Sequence, residues 1–315
     1  MDILLYLGGD AQRTRDWKTQ LVTRLPQYRI RVWEPGDTAP ADYALIWKPP
    51  MELLQGRHDL KAIIYLAAGV DGLLSLLAEH PGLVAGSTKL IRMEDAGMAG
   101  QMVEYAQYQV LRYFRQMDAY DDQRTRKLWQ KRGPGIKEDF PVGVLGQGIL
   151  GTAVAQGLAG LGFPVRGWSR SPKAVPGVTG HTGEAGLSGF LSGLRVLINL
   201  LPLTPETEDL LDARMFGQLT APAYVINMGR GPHIVDEDLL QAVREGTIAG
   251  AALDVFREEP LPADHPFWHE PRINITPHIS AMTLNDAGVQ QVVEKLNLLV
   301  SGKQVSGQID LARGY

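Results

Sequence analysis

The chain has 315 residues, 44% apolar and 21% charged, an ordinary globular balance that suggests about two domains. Its net charge of −4 excludes a global pull on nucleic acid or anionic membrane and leaves only a local basic patch open. With no cysteine, disulfides, thiolate metal sites and cysteine nucleophiles are excluded, and a reducing compartment fits.

The chain opens Met1-Asp2 with no cationic start and no signal-type apolar core, so the cytoplasm is the expected location. Apolar runs predict strands at Ile3–Leu7, Ile30–Trp33, Tyr43–Trp47, Ala62–Ala67 and Leu83–Ala85. Trp17, Leu21 and Leu25 carry helical spacing between the first two. A long helix is predicted from about Met98 to Met117, followed by a densely charged, polar segment over 118–132, whose basic part 124–132 reads as a solvated helix, and a breaker at Gly133-Pro134-Gly135. A second set of strands is predicted at Val142–Leu145, Val165–Trp168, Val196–Leu200, Tyr224–Asn227, Ala251–Val255 and Ile273–Thr276. The run Val196–Leu203 is too short for a membrane span and contains Asn199 and Pro202. Val289, Val292, Val293, Leu296 and Leu299 give the last helix one apolar face. Strands alternating with helices predict an α/β chain with doubly wound parallel sheets.

Gly146-Gln-Gly148-Ile149-Leu150-Gly151 follows a predicted strand and opens a predicted helix. Gly146 permits the tight turn, Gly148 lets backbone approach a pyrophosphate, and Gly151 lets helix and strand pack closely. The helix N-terminus offers N–H groups and partial positive charge to the same anion. The acid that usually follows about 20 residues later to hold a ribose hydroxyl is missing. In its place stand Ser169, Arg170 and Lys173, which attract a 2′-phosphate where a carboxylate would repel it. NADPH is therefore the expected cofactor, with NADH possible; a charge-assisted bond there is worth roughly 10–150-fold in affinity.

Three further strand ends carry chemistry: Arg230, the pair Glu258 and Glu259 before Pro260, and His278. Ligand sites of open α/β sheets lie at such carboxyl ends. His181, His233, His265 and His269 match no motif and read as ordinary surface or loop residues. No spacing of His, Asp and Glu suggests a metal, and there is no G-x-S-x-G elbow or Walker lysine. The basic segment 124–132 has no nucleic-acid motif beside it.

Together with the glycine loop, Leu201-Pro202-Leu203-Thr204-Pro205-Glu206-Thr207, Asn227-x-x-Arg230-Gly231-x-x-x-Val235-Asp236, Asp254-Val255-Phe256 with Glu259-Pro260, and Thr276-Pro277-His278 stand in a characteristic order. The chain thereby resembles the D-isomer-specific 2-hydroxyacid dehydrogenases over nearly its whole length. The resemblance implies a flavodoxin-like substrate domain of residues 1–97 and 286–315, and a Rossmann dinucleotide-binding domain of residues 98–285. It implies catalysis by Arg230, Glu259 and His278, the acid being the one directly before proline. Arg230 would bind the carboxylate of a small 2-oxo acid and polarise its carbonyl. His278 would donate the proton, with Glu259 orienting the ring. Besides the glycine loop and basic turn, cofactor contacts are implied at Leu201, Pro202, Leu203, Thr207, Met228, Gly229, Arg230, Asp254 and His278. Substrate contacts are implied at the backbone of Ala68, Gly69 and Val70. Trp47 and Met98 are candidates for the same pocket, with ordinary packing as the alternative, and Asp71 is expected to cap a helix. Small substrates such as glyoxylate and hydroxypyruvate, a homodimer built on the long helix, and no metal, membrane or nucleic-acid partner complete the expectation. An NAD-linked enzyme for another D-2-hydroxy acid, or a dinucleotide-sensing corepressor-like protein, is the alternative.

Overall fold

A computed structural model describes residues 1–315. The chain divides into two compact units, Met1–Met98 with Thr283–Tyr315, and Ala99–Met282. No helix is long and apolar enough to cross a membrane.

The first unit begins β1 (Asp2–Leu7), α1 (Ala11–Arg24), β2 (Arg29–Val32), β3 (Tyr43–Trp47), α2 (Met51–Leu54), β4 (Ala62–Tyr65), α3 (Asp71–Glu79) and β5 (Lys89–Arg92). Its strands form one parallel sheet in the order β2-β1-β3-β4-β5, the flavodoxin-like order. Helices cover both faces, so the inner strands are continuous apolar runs, as in the fully buried Ala62-Ile63-Ile64-Tyr65. Asp10 starts α1 by accepting the Arg13 N–H at 2.9 Å.

The second unit continues α4 (Met98–Phe114), α5 (Met117–Thr125), β6 (Val142–Leu145), α6 (Ile149–Gly160), β7 (Val165–Ser169), β8 (Val178–Thr182), α7 (Gly183–Leu191) and β9 (Val196–Asn199). It ends α8 (Ala213–Phe216), β10 (Ala223–Asn227), α9 (Asp236–Glu245), β11 (Ile248–Leu253) and β12 (Ile273–Ile275). Seven parallel strands stand in the order β12-β11-β10-β9-β6-β7-β8, so the strand order reverses between β6 and β9. That reversal is where a doubly wound sheet opens a crevice for a ligand. The closing helix α10 (Asn285–Val300) belongs to the first unit, where it packs on α1 and its Asn285 accepts the Trp17 indole N–H at 2.8 Å.

Four expectations need correction. The run Leu83–Ala85 sits between Gly82 and Gly86 and makes only one bridge, Val84 with Arg57; the strand is β5, whose charged ends hide its two buried residues. β8 is an edge strand of mostly exposed or half-buried polar residues and so carries no apolar run. The solvated helix predicted over 124–132 does not form: α5 ends at Thr125, beyond which the chain is irregular and Trp129 is 97% exposed. Asp71 does not cap α3: Val70 holds that position, and the Asp71 carboxylate lies in the first turn, where it complements the helix dipole.

Candidate active site

The glycine loop joins β6 to α6 at the sheet's reversal point. Gly146 has φ +94°, and a Cβ there would lie 2.7 Å from the Leu200 carbonyl oxygen. A Cβ on Gly151 would lie 1.8 Å from the Gly146 oxygen, so only glycine allows this helix so close to its strand. Gly148 differs: it is the N-cap of α6, no side chain caps the helix, and an added Cβ meets nothing within 4 Å. The turn thus presents open space and unclaimed backbone donors, the cradle a pyrophosphate needs. Ile149 is exposed beside it and Leu150 half-buried.

The basic turn meets this loop. Lys173 Nζ donates to the Gln147 carbonyl at 2.6 Å, while the Ser169 hydroxyl donates to the Ser171 carbonyl at 2.7 Å. Arg170 is exposed. The Glu206 carboxyl is held below its ordinary value, chiefly by the Thr204 hydroxyl and to a lesser degree by the Arg170 charge. The residues present therefore fit a phosphorylated dinucleotide: an uncapped helix start for its pyrophosphate, and two cations with no acid on their own turn for its 2′-phosphate.

After β9, Leu201 is buried and Pro202 and Leu203 are half-buried. Thr207 closes this turn, accepting the Thr204 N–H at 2.8 Å and donating to the Pro202 carbonyl at 2.7 Å. After β10, Met228 and Gly229 are buried and Arg230 half-buried, with Arg230 Nη1 donating to the Gly229 carbonyl at 2.7 Å.

His278 and Glu259 come together, 19 residues apart in sequence. The ring Nδ1 lies 2.8 Å from Glu259 Oε2, and the other carboxylate oxygen, Oε1, accepts the Phe256 N–H at 3.0 Å. Glu259 rather than Glu258 therefore partners the histidine. Both side chains are partly open, His278 at 45% and Glu259 at 37% of their full exposure, as groups that meet a ligand should be.

Asp254 builds the loop that carries His278. It is fully buried; Oδ1 accepts the Thr276 hydroxyl at 2.6 Å and the Ile279 N–H at 2.8 Å, and Oδ2 accepts the Ser280 N–H at 2.7 Å. The Asp254 carbonyl takes the His278 N–H at 2.8 Å. Because the Thr276 hydroxyl donates to Asp254, it must accept from Tyr105, 2.7 Å away on α4. Burial pushes the Tyr105 phenol up to about 12, which keeps it a donor. Clasped this way, His278 sits at φ +55°, in the left-handed region.

The groups beneath Arg230 had no assigned role in the motif that carries it. Asn199 and Asn227 are paired in register at the ends of β9 and β10, both buried, and bonded Nδ2 to Oδ1 at 2.9 Å. A polar residue closing each of two apolar strands was the available signal. His233, read as a surface or loop residue, is instead fully buried against Asn199 and Arg230. Gly231, quoted in the motif without a role, also matters: a Cβ there would lie 1.8 Å from the Phe256 carbonyl carbon. That approach sets the Arg230 turn directly against the backbone that holds Glu259.

In the first unit, Ala68 and Gly69 are half-buried in the loop after β4, and Val70 is buried. Arg92 holds this loop through a bond from Nη1 to the Ala68 carbonyl at 3.1 Å. Trp47 is half-buried against Gly8, where a Cβ would come within 2.8 Å of the indole. Arg13 and Lys48 stand over the Trp47 ring at 5.5 and 5.0 Å. Met98 is buried.

Comparison with known proteins agrees with this architecture. The family model for the D-isomer specific 2-hydroxyacid dehydrogenase NAD binding domain matches residues 108–280. A Yersinia enterocolitica glyoxylate/hydroxypyruvate reductase A is 48% identical over 301 residues, covering 96% of each chain. A D-isomer specific 2-hydroxyacid dehydrogenase from Xanthobacter autotrophicus Py2, solved with NADPH and MES, superposes with a TM-score of 0.92 at 36% identity, covering 100% of this chain and 99% of that one. An NADPH-dependent glyoxylate/hydroxypyruvate reductase from Sinorhizobium meliloti, solved with NADP and sulfate, gives 0.89 at 31% identity with the same coverage. With motifs, sheet order and both comparisons in agreement, the chain belongs to the D-isomer specific 2-hydroxyacid dehydrogenase family.

Proposed function

We propose that this chain is an NADPH-dependent reductase of small 2-oxo acids, forming glycolate from glyoxylate and D-glycerate from hydroxypyruvate. The observation that carries the proposal is the His278–Glu259 pair at 2.8 Å, on a strand-end rim shared with Arg230 and the glycine loop. When bound, the nicotinamide supplies the hydride. Arg230 offers a planar fork of N–H donors to the substrate carboxylate and draws electron density from the neighbouring carbonyl. His278 delivers a proton from Nε2 to the carbonyl oxygen as it becomes a hydroxyl. Glu259, accepting from Nδ1, aims that nitrogen and stabilises the ring's positive charge. In the reverse direction the neutral ring takes the proton back. The backbone N–H groups of Ala68, Gly69 and Val70 are assigned to the substrate carboxylate, in a loop steadied by Arg92.

The cofactor preference is assigned to Ser169, Arg170 and Lys173. Steady-state rates with NADPH and NADH, each offered with glyoxylate, test both halves of the proposal. The wild type should favour NADPH, and Arg170→Ala should reduce that preference roughly 10–150-fold, because one charge-assisted bond to the 2′-phosphate is lost. An unchanged ratio would remove Arg170 from the assignment, and no consumption of either cofactor would remove the reductase.

The protein is further proposed to act as a homodimer in the cytoplasm. Beyond α5, Trp129 is 97% exposed beside Leu128 at 45%, and large exposed aromatics of this kind are what interface cores cover. Sedimentation should give twice the chain mass, and Trp129→Glu should shift it toward the monomer at micromolar concentration. A wild-type monomer would contradict the dimer.

A further inference from the structure

We propose that His233 is a positioning residue: in one neutral tautomer it locks the backbone of Arg230 to the Pro202 segment, and so sets the substrate anchor against the cofactor. The inference rests on the reductase reading, which gives those two segments their tasks.

The balance of hydrogen-bond partners selects one tautomer. His233 is fully buried. Its Nδ1 lies 3.0 Å from the Arg230 backbone nitrogen and 2.9 Å from Asn199 Nδ2. The first can only donate. The second is fixed as a donor because the other end of that amide, Oδ1, accepts the Leu201 N–H at 3.2 Å. Nδ1 must therefore be the bare, accepting nitrogen, and the proton resides on Nε2. The neighbour of Nε2 is the Pro202 carbonyl at 3.2 Å, which can only accept. The Arg230 carbonyl also lies 2.9 Å from Nδ1, but a proton there would face two donors and leave a bare Nε2 against the Pro202 carbonyl.

The consequence falls on Arg230. Its N–H is taken by His233, and its carbonyl accepts Asn227 Nδ2 at 2.9 Å. Asn227 Oδ1 in turn accepts from Asn199 Nδ2 at 2.9 Å and from the Gly229 N–H at 3.1 Å. Both main-chain polar groups of Arg230 are thus gripped by buried side chains, Asn227 at the end of β10 and His233, which Asn199 at the end of β9 holds. The guanidinium leaves from a fixed base, and through Nε2 that base is tied to the turn that Thr207 closes on the Pro202 carbonyl. An aliphatic side chain would fill the same space and make neither bond.

Two variants separate the two limbs. His233→Asn keeps an acceptor near the Nδ1 position and removes the bond to Pro202. His233→Gln places a donor near the Nε2 position and removes the acceptor for Arg230. The expected result is a crossed pattern. The Asn variant should weaken NADPH about tenfold while the KM for glyoxylate stays within about twofold. The Gln variant should lower kcat/KM for glyoxylate about tenfold while NADPH binding stays within about twofold. NADPH binding is read by fluorescence titration and the oxo-acid limb also by oxamate titration onto the NADPH complex, so neither limb needs turnover. A wild type that binds both ligands without turnover would defeat the reductase reading alone, and the crossed binding pattern would still decide the role of His233. Melting temperatures are measured alongside. Variants that alter the same parameter equally, that lose function only in proportion to their melting temperature, or that behave as wild type would overturn the inference.

Discussion

Replacing His278 with asparagine should lower kcat for glyoxylate by roughly 10²–10⁴-fold and leave NADPH affinity within about threefold of wild type. Asparagine is the informative choice because position 278 sits at φ +55°, where it is among the few side chains that tolerate the left-handed backbone. Alanine would mix the loss of a proton donor with strain in the loop. The Asp254 clasp uses only backbone N–H groups from 278–280 and the Thr276 hydroxyl, so it survives the substitution. What is lost is the ring that Glu259 aims. Steady-state kinetics with both substrates varied read the two effects separately. A variant with wild-type kcat would mean that another group supplies the proton.

Arg230→Lys is expected to have the second largest effect, a fall of about 10²–10³-fold in kcat/KM for glyoxylate with NADPH affinity nearly unchanged. Lysine keeps the charge and loses the planar fork, so the carboxylate is no longer held and the carbonyl no longer polarised by one rigid group. The backbone bonds that root residue 230 involve His233 and Asn227 and are indifferent to the side chain. The loss should therefore appear in the glyoxylate parameters, including kcat. A lysine variant within twofold of wild type would show that charge alone suffices at this position.

How much of this was legible in the sequence depends on where each constraint acts. The glycine loop was legible because its constraints are local: Gly146, Gly148 and Gly151 each answer a steric demand within one strand–turn–helix unit. The parallel sheets were legible because burial on both faces makes their inner strands apolar until the polar residue that closes each of β9 and β10. The same logic fails at a sheet edge, which is why β8, with Thr179 and Gly180 exposed, left no trace. His233 was illegible for another reason. Its role depends on three partners 3, 31 and 34 residues away, which only the folded β9 and β10 bring together. Asp254 lies between these cases. The motif flagged it, and the structure spends both its oxygens on the loop that bears His278. The choice between Glu258 and Glu259 could be made only by geometry or by resemblance, since the two share composition and neighbourhood.

The most direct measurement is the product formed when the purified protein is given hydroxypyruvate and NADPH, followed at 340 nm and resolved by chiral chromatography. One equivalent of D-glycerate is expected for each NADPH oxidised. L-Glycerate, or tight NADPH binding with no oxidation by any small 2-oxo acid, would contradict it.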